Sequence, residues 1–183
     1  VDFEVLCRNG LGWCAYRAED NDEAIRLFVS AKELRSLEEA NASGRVAGLE
    51  VRLPRGDGTD RLPSALAGLD FVTRRFLVDP NDVEALTRAA EIGDMMFELR
   101  PDNANLANNA GFLNRDAAVL WERFRATDPR PEVAAAGRAR AQALMEKSYA
   151  AYQVAARLVP DDVRVVNDAG LIMAYYVRTD PDA

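Results

Sequence analysis

A glycine follows a small or aliphatic residue at four places where a helical hairpin is predicted to begin. The four pairs are Leu11-Gly12, Ala67-Gly68, Ala110-Gly111 and Ala169-Gly170. A glycine inside a helix costs about 1 kcal/mol relative to alanine, so a recurring glycine indicates a recurring packing need. Because glycine has no side chain, a neighbouring helix can approach closely. The pairs therefore predict packed helical hairpins with a close helix contact at each glycine.

Two segments of the chain match each other at an offset of 59 residues. PDNANLANNAGFL (101–113) aligns with PDDVRVVNDAGLI (160–172). Self-similarity at a fixed spacing is the sequence signature of repeat proteins, so we expect equivalent helices in successive repeats. The alignment pairs Leu106 with Val165, Asn108 with Asn167, Gly111 with Gly170, Phe112 with Leu171 and Leu113 with Ile172.

A small residue, an aromatic residue and an alanine recur at spacings of four and three. The two sets are Ala24, Phe28 and Ala31, and Ser148, Tyr152 and Ala155. Residues at these spacings share one helix face, which we expect to pack against the preceding helix. With the leading Leu-Gly pair and the aromatic Tyr16, this pattern resembles the tetratricopeptide repeat, a hairpin of about 34 residues. The resemblance is specific for residues 5–36, 101–113 and 145–172.

The resemblance implies an all-α fold in which antiparallel hairpins stack as a right-handed solenoid of about three and a half repeats. We expect one helical domain over residues 1–183, with an irregular, partly strand-like insertion at about 45–61. Arg8 and Ser36 depart from the tryptophan and proline that are frequent in the family, and Ala15 takes its aromatic position. Helices are predicted at 3–18, 21–43, 62–78, 83–99, 104–125, 132–157 and 162–178, with proline ending one helix and aspartate capping the next.

The composition argues against several classes of function. The net charge is −7 and no run of Lys and Arg exceeds two residues, whereas a nucleic-acid binder usually carries a basic stripe. No apolar stretch is long enough to span a membrane. The chain has no histidine, which removes the commonest general base and the Ser-His and Cys-His catalytic pairs. We therefore expect a protein that is not an enzyme and that needs no cofactor or metal.

The two cysteines, Cys7 and Cys14, lie seven residues apart. On a helix this spacing separates their Cα atoms by about 10 Å, beyond the roughly 7 Å that a disulfide spans. We expect two free, buried thiols, which favour a reducing compartment such as the cytoplasm. Because the chain begins at Val1, we expect a mature form or a piece of a longer protein, and an exported mature form stays open.

Two short motifs resemble ligand sites. Gly10, Gly12 and Ala15 match the spacing of a dinucleotide fingerprint, but the following segment reads as helix where a Rossmann unit needs a second strand. Residues 56–60 (GDGTD) offer two carboxylates, without the spaced ligands of a calcium loop. We interpret the first motif as helix packing and the second as a surface turn.

The resemblance also implies a binding site. In tetratricopeptide proteins the first helix of each hairpin lines a concave groove, and positions flanking the glycine pair point into it. Asparagine binds a peptide backbone as donor and acceptor, arginine pairs with carboxylates, and aromatic residues act as anchors. The corresponding residues here are Asn9, Trp13, Tyr16, Leu69, Thr73, Asn105, Asn108, Phe112, Arg115, Arg164, Asn167, Leu171 and Tyr175.

These features predict a protein-interaction scaffold that binds a peptide or protein partner in this groove. The alternatives are a structural subunit embedded permanently in a large assembly, or a regulatory ligand-binding domain that uses the insertion at 45–61. The seventh helix lacks a following partner helix. One reading is that it is a terminal cap; the other, which we favour, is that a further segment or a partner covers Leu171, Ile172 and Tyr176, because repeat proteins need polar outer faces at their ends.

Overall fold

The computed structural model describes the backbone of residues 3–42, 51–52, 61–62 and 65–179, and the side chains of residues 4–31 and 65–174. The fold is all-α, as predicted, apart from one short pair of strands. Val51 lies opposite Leu62 in this antiparallel pair. The elements are α1 (Phe3–Arg17), α2 (Asn21–Ala42), β1 (Val51–Arg52), β2 (Arg61–Leu62), α3 (Ala65–Phe76), α4 (Val83–Leu99), α5 (Ala104–Phe124), α6 (Pro131–Leu158) and α7 (Val163–Thr179).

Aspartate and asparagine side chains cap the helix starts. Asp82 accepts hydrogen bonds from the backbone amides of Glu84 and Ala85 at the start of α4, as the Asp-Pro and Pro-Asp turns predicted. At α5 the cap is Asn103 rather than the aspartate beside it. Helix α6 begins with a proline and has no side-chain cap, because its N-cap residue is Arg130 and a guanidinium accepts no hydrogen bond.

The turn between α1 and α2 contains a residue in the left-handed region. Glu19 has a φ of 63°, and the amide of Asp20 donates to the carbonyl of Ala15. This hydrogen bond is that of a Schellman motif, which usually places glycine at the left-handed position. The Asp20 carboxylate then accepts from the amide of Glu23, so α2 starts directly after the turn.

The structure divides into two compact units, Val1–Arg75 and Phe76–Ala183. In the first unit, the ring of Phe28 on α2 lies against two glycines. A Cβ atom on Gly12 of α1 would lie 2.6 Å from this ring, and one on Gly68 of α3 would overlap the same ring. Ala24, Phe28 and Ala31 are buried, which confirms that this set faces the core.

In the second unit, α5 packs against α4 and α6, and α6 packs against α7. Tyr152 on α6 is fully buried, and its ring would lie 2.8 Å from a Cβ atom on Gly111 of α5. The hydroxyl of Ser148 donates to the carbonyl of Gly111 at 2.6 Å. The second predicted set, Ser148, Tyr152 and Ala155, therefore faces the core as expected.

The prediction that all four glycines mark close helix contacts is wrong at Gly170. This residue is exposed, and a Cβ atom on it would meet nothing within 4 Å. The prediction that Ile172 needs a cover is also wrong, because Ile172 is fully buried in the core of the second unit. Leu171 beside it is exposed, while the side chain of Tyr176 lies outside the described residues.

Polar side chains connect α4, α5 and α6 inside the second unit. The buried amide of Asn114 donates to Asp94 at 2.6 Å and to the carbonyl of Ala110. Lys147 on α6 binds the other oxygen of Asp94 at 2.6 Å. The side chain of Asp94 is only 19% exposed, and a carboxylate buried to this extent is tolerated only when it is paired. This network therefore favours one arrangement of the three helices.

Cys7 and Cys14 are free, as predicted, but both are exposed. The prediction of buried thiols is therefore wrong. Both residues lie on α1, whose packed positions are Val5, Asn9 and Gly12. This face follows the helical period from Val5 and leaves the two cysteines, seven residues apart, together on the opposite face.

Candidate functional site

A cluster of aromatic rings lies on the surface of the first unit, and we call it the aromatic patch. It consists of Trp13 and Tyr16 on α1 and Phe71 on α3. The Trp13 ring lies 5.7 Å from both of the other rings, and the Tyr16 and Phe71 rings are 6.2 Å apart. All three contacts are edge-to-face, a favourable geometry for aromatic pairs. Phe71 is 44% exposed, so the patch reaches solvent.

Two arginines from α3 lie on the aromatic patch. The guanidinium of Arg75 stacks 3.7 Å from the centre of the Tyr16 ring, and Arg74 lies 5.7 Å from that of Phe71. Arg74 forms an ion pair with Asp70 at 2.8 Å. Arg75 instead donates to the side-chain oxygen of Asn21 and the carbonyl of Tyr16. Among the described residues, Arg75 therefore has hydrogen-bond partners but no carboxylate.

A second candidate surface is a cleft in the second unit, which we call the α5–α7 cleft. It encloses about 420 Å³, and its floor is apolar, with Val119, Leu120 and Leu171. Arg115 and Asp116 form its polar edge. The cleft brings together two residues of the predicted groove, Arg115 and Leu171, from successive first helices.

Arg115 already has a carboxylate partner. It binds Asp116 at 2.7 Å and lies 3.5 Å from the hydroxyl of Tyr152. Burial lowers the pKa of Arg115, but the hydrogen bond and the charge of Asp116 outweigh this effect and leave the pKa raised. The edge of the cleft is therefore a neutral ion pair, and an acidic partner would have to compete with Asp116.

The phenol of Tyr152 gives the second unit a sensitivity to alkaline pH. Burial raises its pKa to about 12, against the opposing charge of Arg115. Because the unfolded tyrosine titrates near 10, the stabilisation is complete below pH 10 and is lost as the pH rises toward 12. We expect a loss of about 2–3 kcal/mol in the free energy of unfolding over this range. Urea unfolding at pH 9 and pH 12 measures it.

The variant Tyr152→Phe should remove most of this pH dependence, since phenylalanine has no proton to lose. Tyr149→Phe is the matched control, because it makes the same change three residues earlier on α6 and should keep the wild-type loss. If wild type and Tyr152→Phe lose stability equally between pH 9 and pH 12, the buried phenol is not the source.

The other predicted groove residues lie in different environments. Asn9, Leu69 and Thr73 are buried, and Phe112 packs partly buried against the core. Asn108 is partly buried, and its side-chain oxygen faces no hydrogen-bond donor among the described residues. Asn105 and Asn167 are exposed, and exposed Arg164 binds Asp162 at 3.0 Å. The side chain of Tyr175 lies outside the described residues.

The remaining motifs form no site in the described part of the chain. Gly10, Gly12 and Ala15 all lie within α1, so the strand-turn-helix of a dinucleotide fingerprint is absent there. No group of three or more metal-binding side chains lies together among the described residues. None of the described helices has the length and apolar character needed to cross a membrane. Residues 53–60, with the GDGTD motif, lie outside the described residues.

Sequence reasoning missed Phe71 and Arg75. Both lie on α3 after Ala67-Gly68, within one or two turns of the residues named there, Leu69 and Thr73. The named pair is buried, so the exposed face of α3 is the opposite one. With Leu69 and Val72 on the buried face, the helical period places Phe71 and Arg75 on the exposed face.

The chain matches no model of a known protein family and no curated protein. The resemblance to the tetratricopeptide repeat therefore stays a prediction. The candidate sites are identified by the geometry of the described residues and not by similarity to a known protein.

Proposed function

We propose that this protein is a non-catalytic scaffold built from divergent tetratricopeptide-like repeats, and that it binds a peptide or protein partner. In this proposal its hairpins stack as a right-handed solenoid of about three and a half repeats. The observation that carries the proposal is the aromatic patch of Trp13, Tyr16 and Phe71, on which Arg75 stacks without a carboxylate partner in the described part of the chain.

The chemistry of the aromatic patch is that of an interface hot spot. Binding energy concentrates in tryptophan, tyrosine and arginine residues; the patch contains the first two types, and Arg75 stacks on it. The rings support one another edge to face, so a partner would not have to order them at an entropic cost. Since no described carboxylate pairs with Arg75, its charge favours a partner with an acidic residue next to an apolar or aromatic one, and such a contact weakens with salt.

A permanently embedded structural subunit is the second candidate, and exposed apolar side chains on α7 favour it. Val163, Val166 and Met173 are all at least 46% exposed. Size-exclusion chromatography of the purified chain separates the two candidates. A scaffold elutes as a stable, defined species, whereas an embedded subunit aggregates without its assembly.

The scaffold proposal is tested with peptides selected from a random displayed library on the purified chain. We expect selected peptides to combine an aromatic or large apolar residue with Asp or Glu. The chain contains two tryptophans, so labelling with 5-fluorotryptophan gives one fluorine NMR signal from each. The fluorine signal of Trp13 should shift on peptide binding, while that of Trp121, in the second unit, should not.

Phe71→Ala should weaken the affinity at least tenfold, since truncating an interface hot spot costs about 2 kcal/mol or more. Arg75→Gln should weaken binding and reduce its dependence on salt. Phe124→Ala is the matched control, because Phe124 is 41% exposed and also has an arginine over its ring, but lies outside the patch. Equal affinity of the Phe71→Ala and Phe124→Ala variants would exclude the aromatic patch as the interface.

A further inference from the structure

Helix α5 is covered on two faces by its neighbours. On one face, Leu113 lies against Gly93 of α4, where a Cβ atom on the glycine would be 2.8 Å away. On the other, Gly111 lies under the Tyr152 ring of α6, and Ala107 packs in one cluster with Ala155. One face of α5 thus meets the preceding helix and the other meets the following helix.

The 59-residue alignment assigns the same two faces, one toward the preceding helix and one toward a following helix, to α7. Ile172 aligns with Leu113 and is fully buried, and Val165 packs in one cluster with Ala155 of α6. These two residues form the face toward the preceding helix. The face of α7 toward its preceding helix is therefore packed, as the corresponding face of α5 is.

The other face of α7 is open, and we call it the α7 docking face. It consists of Val166, Gly170 and Met173, which align with Ala107, Gly111 and Asn114 of α5. The three α5 residues are buried, with Ala107 and Asn114 at 0% exposure. By contrast, Val166 is 46% and Met173 50% exposed, and no neighbouring element among the described residues lies within 4 Å of a Cβ atom on Gly170.

We propose that the α7 docking face binds an amphipathic helix of a partner protein. This helix places an aromatic ring over Gly170, between small residues one turn to either side, as Tyr152 lies over Gly111. An adjoining crevice of about 250 Å³ between α6 and α7 offers an apolar wall, with Ala156, Ala169 and Met173 among its lining residues. The proposal does not use the aromatic patch, so it is independent of the proposed function.

A second copy of this chain is a poor occupant for this face. Its two helices with the required spacing are α2 and α6, and their aromatic residues Phe28 and Tyr152 are both fully buried. A second copy would have to open its own core to offer either ring. A helix of a partner protein with the spacing small-x3-aromatic-x2-small can offer its ring without this cost.

The test uses a peptide of residues 141–158, the part of α6 that carries Ser148, Tyr152 and Ala155, as the probe. It is titrated into the full chain labelled with ¹³C at the methionine methyl groups. The chain has four methionines, and Met173 is the one on the docking face. We expect a saturable upfield shift of the Met173 methyl, because an aromatic ring shields a methyl group beneath it, with Met145 of the chain's own α6 unchanged.

Three controls make the outcome specific. A peptide with Tyr152→Ala should bind at least tenfold more weakly. The protein variant Gly170→Leu should bind the unmodified peptide at least tenfold more weakly, since the leucine side chain fills the space for the ring. Ala139→Leu, which adds the same side chain at an exposed position of α6, should bind like wild type.

Other outcomes overturn the proposal. Absence of a Met173 shift at millimolar peptide means that the face does not accept such a helix. A shift of Met145 means that the peptide displaces α6 rather than binding α7. A Met173 signal that moves with protein concentration alone identifies a second copy as the occupant, and this also contradicts the proposal.

Discussion

Replacing Phe28 with alanine should destabilise the first unit by about 3–5 kcal/mol, the range for truncating a buried phenylalanine. Phe28 is fully buried, and both Gly12 of α1 and Gly68 of α3 lie against its ring. Trp13 also contacts it edge to face, with the ring centres 5.3 Å apart. The substitution therefore removes the packing partner of two helices at once. Urea unfolding, followed by the fluorine signal of Trp13, measures the loss.

Phe71→Ala is the matched control for Phe28, because it makes the same change in the same unit. Phe71 is 44% exposed, so its truncation leaves little cavity, and we expect a loss below about 1.5 kcal/mol. A Phe28→Ala variant no less stable than Phe71→Ala would show that the three helices do not depend on this ring.

The substitution Gly111→Leu should destabilise the second unit by about 1–3 kcal/mol, while Gly170→Leu should leave its stability unchanged or raise it. At Gly111 a side chain would collide with the buried ring of Tyr152, where a Cβ atom already lies at 2.8–2.9 Å, and overpacking of a core has this cost. A Cβ atom on Gly170 would meet no neighbouring element within 4 Å in the described part of the chain. Leucine there gains up to about 1 kcal/mol of helix propensity over glycine.

The two leucine variants serve as controls for each other, since both replace a glycine at aligned positions of α5 and α7. Thermal or urea unfolding by circular dichroism measures the difference between them. Similar losses of stability in both would mean that a close neighbour also covers Gly170. Wild-type stability in both would remove the close contact inferred at Gly111.

The helices were predictable because their signals are local. Proline, aspartate and the glycine pairs act within one turn of the chain, so the predicted range 83–99 coincides with α4, and the other six ranges differ by three residues or fewer at either end. The faces that carry Phe28 and Tyr152 were also predictable, since the helical period alone brings a small-aromatic-small set onto one side.

The candidate site was predictable only in part. Trp13 and Tyr16 were named from the pattern around Gly12, and both lie in the aromatic patch. Arg75 was not named, because its role in the candidate site depends on a ring from α1 and on having no carboxylate partner among the described residues, and neither is visible in the sequence. Arg115 was expected to meet a partner's acid, but its neighbour Asp116 already binds it.

By itself the sequence determined which segments are helical, where they begin and end, and which residues share a face. It did not determine what lies opposite each face. Gly111 and Gly170 both follow the pattern Asn-x-Ala, yet one lies under a buried ring and the other meets no described neighbour. Cys7 and Cys14 likewise suit a core or a surface. Only tertiary packing decides these cases, because burial depends on residues that are distant in the chain and become neighbours when the helices pack.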